Sequence, residues 1–177
     1  YADQPYFLRA DDGALVLICT TGNGTEGEAG QHVVSIRSTD NGQTWDPPVA
    51  LEPPTNVESS YAVMLKTDSG RIYAFYNHNT DNIRKVPGDQ EAYPDGWCRR
   101  VDSLGYFVFK YSDDHGKSWS EKRTTIPVRE FDIDRENTSG GKIRYFWNVG
   151  KAFSYAGKGY VPLHKVGGFG VDFFTRS

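Results

Sequence analysis

The chain has 177 residues, a formal net charge of −3, 37% hydrophobic and 14% aromatic residues, and 19 glycines. An acidic balance argues against nucleic acid or an anionic membrane surface as a general partner. No apolar run reaches the roughly 18 residues of a membrane-spanning helix, and many aromatics among many turn residues point to an all-β protein.

In chain order, the opening "YADQPYFLRADD" has none of the features of a signal peptide, and such a chain could equally derive from a longer precursor. "YFLRADDGALVLICT" (6–20) places apolar runs on either side of Asp11-Asp12-Gly13, the signature of a hairpin. "HVVSIRS" (32–38) supplies a third strand and runs into "STDNGQTW" (38–45). "YAVMLKTDSGRIYAFYN" (61–77) and "YFVFKYS" (106–112) repeat this order and end in a second copy, "SDDHGKSW" (112–119). Between them, 78–105 is too rich in Gly, Pro and Asn for a helix and reads as a long loop. No helix is expected anywhere. "KAFSYAGKGYVPLHK" (151–165) is a third hairpin, and "VDFFTRS" (171–177) stops where a third copy of the phrase would begin.

Each copy reads Ser-x-Asp-x-Gly-x-(Ser/Thr)-Trp. The aspartate of such a turn accepts backbone N–H bonds, and the glycine takes a positive φ without strain. Asp40, Gly42 and Trp45, with Asp114, Gly116 and Trp119, are therefore structural, each tryptophan plugging its turn against the sheets below. A fourth strand follows each copy, near 47–52 and 121–128.

The repeat gives four-stranded antiparallel blades at roughly 4–53, 57–128 and 143–177, the last truncated. This is a partial β-propeller of about three blades, and a complete one would have about six or seven. The remaining blades would come from the same or another chain, and an open arc on its own is expected to be poorly soluble.

Strand direction sorts the loops. The hairpin turns after each first strand share one end of the propeller with the repeated phrases, so His115 lies there. Connections between second and third strands, and between blades, lie at the opposite end. His32, His78 and His164 all fall at that end, with Asn77, Asn79, Asp81, Arg84, Arg99, Arg100, Asp102 and Lys165. The connections between blades add Glu58, Tyr61, Arg144, Trp147 and Asn148. The long loops 21–31 and 78–105 lie there too, and loops of such length usually carry function. A depression lined by His, Arg, Tyr and Trp suits an acidic oligo- or polysaccharide. A glycosidase there would need two placed carboxylates, for which Glu58, Asp81 and Asp102 are available.

The two phrases resemble the Asp-box of the sialidase-like β-propellers. Sialidases carry an arginine in a Phe/Tyr-Arg-Ile-Pro phrase at the start of the first blade; "QPYFLRADDG" has none at that position, and Arg9 lies near the other end of its strand. "GQHVVSIRSTDNGQTW", "IYAFYNHNTDNI", "RRVDSLGYFVFKYSDDHGKSWSE" and "GGKIRYFWNVGKAF" are similar to the propeller polysaccharide lyases that cut ulvan and to related hydrolases that release rhamnose from glucuronate-containing glycans. That resemblance implies a polysaccharide lyase or glycoside hydrolase acting at the propeller mouth, secreted or periplasmic. Its catalytic residues would be His32, His78, Tyr106 and an arginine, for which Arg144 stands beside Arg100 and Arg129. Tyr61, Asn79, Arg99, Arg100, Trp147, Asn148, His164 and Lys165 would bind substrate. A sialidase-type hydrolase and a non-catalytic glycan- or protein-binding propeller are the alternatives. The resemblance also leaves room for a structural zinc or calcium. Two cysteines, Cys19 and Cys98, are too few for a disulfide framework and leave the redox compartment open.

Overall fold

Side chains alternate between the faces of a strand, so each apolar-polar run in this chain builds a sheet with one face for each neighbouring blade. The computed structural model describes residues 1–55, 57–148 and 150–168. The first sheet sets β1 (Ala2–Arg9), β2 (Leu15–Thr21), β3 (His32–Ser38) and β4 (Val49–Ala50) side by side, all antiparallel. The second repeats the arrangement with β5 (Ser59–Lys66) and β6 (Ile72–His78). Between β6 and the next strand of that sheet, β7 (Val86–Pro87) and β8 (Trp97–Cys98) form a two-stranded ladder of their own. β9 (Tyr106–Ser112) and β10 (Thr124–Thr125) then complete the second sheet. The chain continues through a one-turn helix, α1 (Asp132–Arg135), to a third hairpin. There β11 (Tyr145–Trp147), β12 (Phe153–Tyr155), β13 (Lys158–Tyr160) and β14 (His164–Val166) make two ladders, β11 with β14 and β12 with β13. The two four-stranded antiparallel sheets are blades of a partial β-propeller, and the third hairpin follows them as two two-stranded ladders.

The first two blades meet in one apolar seam. Val16, Ile18 and Val33 pack against Ala62, Met64, Ile72, Ala74, Tyr76 and Val108, all buried. The opposite face of the second blade carries Tyr73, Phe75, Phe107 and Phe109 in mutual ring contact. Phe146 of the third hairpin meets Phe107 edge-on at 6.2 Å.

The two repeated phrases fold alike. Asp40 Oδ1 accepts Thr44 N–H at 2.8 Å and the Ser38 hydroxyl at 2.8 Å. Asp114 Oδ1 accepts Ser118 N–H at 2.9 Å and the Ser112 hydroxyl at 2.8 Å. Gly116 sits at φ +80, and a Cβ there would come within 2.9 Å of Val16, so the second turn tucks against the first blade. Trp119 completes this contact: it packs on the seam and donates its indole N–H to Ser35 at 2.7 Å. Trp45 departs from the expectation and is 37% exposed.

Three further expectations are corrected. The fourth strands reach only Val49–Ala50 and Thr124–Thr125, because Pro47, Pro48, Pro53 and Pro127 on their flanks have no N–H to give a ladder. The 78–105 connection is built, with Val86, Cys98, Val101 and Leu104 forming a small second core with Tyr145 and Val166 of the third hairpin. A helix does occur, α1, anchored by the Asp134 carboxylate accepting Phe131 N–H at 2.8 Å. One turn is too short for apolar periodicity to betray it. The strand expected at 171–177 lies outside the described residues.

The inner strands share a device. Register slips between Asp3 and Tyr6 in β1 and between Ser60 and Val63 in β5, where Gln4 and Tyr61 take φ +49 and +56. Bulges of this kind re-aim side chains, and the two in β1 and β5 lie toward the same end of the blades.

Asp114→Ala should cost about 1–3 kcal/mol through the lost turn bonds, read as a lower urea midpoint. Any activity per folded molecule should stay the same, because the turn lies at the far end from the long loops.

Candidate functional site

The sorting of loops to two ends is visible in the side-chain bonds. At the turn end, Arg37 donates to Asp12 at 2.7 Å and to the His115 carbonyl at 2.9 Å, and Arg71 forks onto Asp113 at 2.7 and 2.8 Å. The opposite end, the mouth, gathers the long connections, and most of the candidate residues lie there.

Its scaffold is Glu58, almost wholly buried. Glu58 accepts from Arg84 through both oxygens, from Gly30 N–H at 3.0 Å and from the Asn79 amide at 2.9 Å. Asn79 also bonds the Ile83 backbone in both directions. Glu58 and Asn79 thus tie the 21–31 loop, the connection between blades and the start of the 78–105 excursion together, with no capacity left for a ligand. Gly105 closes that excursion at φ +99; a Cβ there would overlap the His78 carbonyl at 2.2 Å.

Two constellations stand on this scaffold. The inner one centres on bulged Tyr61, whose hydroxyl donates toward Asp102 at 2.6 Å and meets Glu26 at 3.0 Å. Arg100 bonds the same hydroxyl, Asp102 at 2.9 Å and Glu26 at 2.6 Å. Trp147 flanks Tyr61 with ring centroids 6.3 Å apart. Burial, then the Asp102 charge, raises the Tyr61 pKa strongly, so the phenol keeps its proton.

The second constellation lies farther from the inner strands, between the first two blades. A pocket of about 310 Å³ is lined by Glu52, Pro53, Thr55, Val57, His78, Thr80 and Arg123. His78 is 5% exposed, its Nδ1 2.7 Å from the Thr80 hydroxyl and its Nε2 3.8 Å from Glu52 Oε2. Glu52, also 5% exposed, accepts the Tyr76 hydroxyl at 2.5 Å and Arg123 at 2.8 Å. Burial and then the Arg123 charge push the His78 pKa down to about 4, against the pull of Glu52, so the imidazole is neutral at neutral pH. Tyr106 sits directly opposite His78 in the β6–β9 ladder and donates to Asp81 at 3.1 Å. That bond raises its pKa, while the charge of Arg144 acts on it in the opposite sense.

His78 and Tyr106 are therefore brought together, with Arg144 in electrostatic reach of Tyr106. His32 is not among the pocket residues; its Nδ1–H donates to the Gly30 carbonyl at 3.2 Å. Arg144 itself pairs with Glu130 at 3.1 Å. Tyr61, Arg100 and Trp147 form the inner constellation. His164 is exposed and lies opposite Trp147 in the β11–β14 ladder. Asn148 is fully buried, its amide without a partner among the described residues. Arg99 is bonded to Asp95 at 2.6 Å on the β7–β8 excursion, and Lys165 to Asp134 at 2.5 Å beside α1. Glu26, Glu52, Thr80 and Arg123 were missed. The loop position of Glu26 and the blade-junction position of Glu52 were the only signals in the sequence. Among the described residues no group of three or more His, Cys, Asp or Glu side chains converges as a metal site, and Cys19 and Cys98 are free thiols. No helix among the described residues is long and apolar enough to cross a membrane.

A family model described as a BNR repeat-like domain matches residues 2–124. The chain belongs to this BNR repeat-like family. A curated relative, a sialidase of Paraclostridium sordellii, is 30% identical over 105 residues, covering 56% of this chain and 24% of that protein. The NanB sialidase of Streptococcus pneumoniae superposes with a TM-score of 0.63 at 10% identity, covering 94% of this chain and 41% of its own. An ulvan lyase bound to -[GlcA(1-4)Rha3S]- superposes with a TM-score of 0.55 at 19% identity, covering 94% and 37%. The chain thus spans about a quarter of the curated relative and well under half of these two solved chains. At these identities the superpositions show a shared fold.

The His78 geometry fixes a pH dependence. The unfolded chain takes up a proton near the ordinary value of 6.5, which the native state refuses down to about 4. Stability should fall as pH drops through that window, by roughly 3 kcal/mol from this group at about 1.4 kcal/mol per unit. Urea midpoints across the window should decline less steeply in His78→Gln; equal slopes would assign the acid loss to other groups.

Proposed function

We propose that the chain forms part of a carbohydrate-active enzyme that binds an acidic, uronate-containing glycan at the propeller mouth and cleaves it by β-elimination. One observation carries this reading: a neutral imidazole, His78, lies directly across a strand pair from a protonated phenol, Tyr106, above a pocket holding the Arg123 guanidinium. Elimination removes the proton at C5, next to the uronate carboxylate, and expels the oxygen at C4. A neutral imidazole takes the C5 proton, the C5–H electrons form the C4=C5 double bond, and the C4–O bond breaks as the phenol protonates the departing oxygen. A guanidinium stabilises the negative charge that builds on the carboxylate, which its planar fork can hold through two bonds. Arg123 is placed for this in the pocket, and Arg144 stands near Tyr106. The similarity to a polysaccharide lyase fold supports the reading, and a polysaccharide substrate goes with a secreted or periplasmic location.

The inner constellation favours a hydrolytic second reading. Glu26 and Asp102 flank the Tyr61 hydroxyl, which brings together the pair of carboxylates that glycoside hydrolysis needs. The similarity to sialidases supports that alternative.

Incubation with a glucuronate-containing polysaccharide separates the readings. Elimination yields an unsaturated, ultraviolet-absorbing product; hydrolysis yields saturated ends, and a binding module yields neither. Tyr106→Phe and His78→Ala should each lower turnover by roughly 10²–10⁴-fold. Tyr106→Phe should melt like the parent protein. Full elimination activity in both variants would reject these roles.

A further inference from the structure

The pocket beside His78 has an unusual charge balance for a group meant to accept a proton. Two cations approach one carboxylate: Arg123 at 2.8 Å from Glu52 Oε2, and Lys110 at 3.7 Å from Oε1. Lys110 is spent on the interior, its ammonium donating to the Leu51 carbonyl at 2.6 Å. Arg123 keeps 28% of its side chain exposed and lines the pocket. Around His78 the remaining ionisable groups are accounted for. Glu58 acts from a distance and is satisfied by Arg84 and Asn79, and Tyr106 opposite is bonded to Asp81. With the imidazole neutral, Arg123 and the Lys110 behind it outnumber Glu52 by one positive charge beside the pocket. The Glu52 charge that would favour an imidazolium is drawn toward Arg123 instead.

We propose that the Arg123–Glu52 pair sets the proton affinity of His78, and that Arg123 is the group through which an anionic sugar in this pocket raises that affinity. The ligand half of the proposal rests on the acidic-glycan reading given above. A carboxylate docked on Arg123 shares its fork with Glu52, cancels the surplus charge and leaves Glu52 free to face His78 Nε2. Both changes favour the imidazolium, so ligand binding takes up a proton. Thr55 and Thr80 supply hydroxyls, and Pro53 and Val57 an apolar wall, on the scale of a sugar ring. The free site thus holds the imidazole neutral and ready, and the loaded site stabilises the charge it acquires. Glu52 is by this argument a positioning residue that acts through Arg123 and His78.

The test is an NMR titration of the His78 ring, assigned among four histidines by comparison with His78→Gln. Without ligand, Arg123→Gln should raise the midpoint by about one pH unit or more, the effect of removing a close charge, while Arg123→Lys stays near the parent. In the unmodified protein, added glucuronate should raise the midpoint, and chloride at the same ionic strength should not. That arm needs no variant, so it decides even where Arg123→Gln does not fold. A midpoint unmoved by Arg123→Gln overturns the charge coupling. A midpoint unmoved by saturating glucuronate overturns the ligand linkage. If both shifts occur but no unsaturated product forms, the coupling stands and the elimination chemistry falls.

Discussion

The seam between the first two blades is the constraint on which the rest depends. Two twisted sheets bury one another only if each strand presents a small or branched residue at every second position, and Val16, Ile18, Ala62, Ile72 and Ala74 do so. Because alternation has period two, that choice dictates what stands at the strand ends. In β6, Ile72, Ala74 and Tyr76 face the first blade, so His78 must follow them onto the same side. The seam is apolar along most of its length and polar at the mouth, where Tyr76, Glu52, Lys110 and Arg123 close it. The buried carboxylate is tolerable there because three groups share its charge, and removing any one would strand the others.

The two ends of the blades have been given opposite physical tasks. At the turn end, short hairpins and the repeated phrases satisfy their own backbone groups, and Arg37, Arg71 and Trp119 bind neighbouring turns together. At the mouth, the inner strands bulge and the connections are long, so side chains converge from several segments. The convergence is held by buried residues without ligand capacity, Glu58 above all. A site of this kind is rigid in its scaffold and open in its chemistry, as substrate positioning requires.

Much of the fold was legible because its signals are local. Turn residues at fixed offsets mark the hairpins, and the repeated phrase fixes the blade period and its direction. The same logic carried the sorting of loops to two ends, and hence the placement of His78 and Tyr61 at the mouth, whereas Tyr106 was named only through the family resemblance. What stayed hidden was long-range. Trp45 and Trp119 look identical in sequence, yet only Trp119 has a described blade to reach back to. The β7–β8 ladder is two residues per strand and is specified by packing under Tyr145 and Val166, not by alternation. Arg99 and Arg100 are adjacent and read alike, but Arg100 turns to Tyr61 and Asp102 while Arg99 caps its own excursion at Asp95.

The same limit explains which site residues were missed. A buried charge is recognised by its partners, and the partners of Glu52 are 24, 58 and 71 residues away, at Tyr76, Lys110 and Arg123. No window on the sequence holds them together. Histidine, by contrast, is rare enough that three of four at one end invite attention without any contact being known. Yet a histidine alone says nothing of its charge, which burial and Arg123 set here. Candidate chemistry could be read from residue type, but whether His78 is a base or a buried cation depends on a seam that forms only when two blades meet.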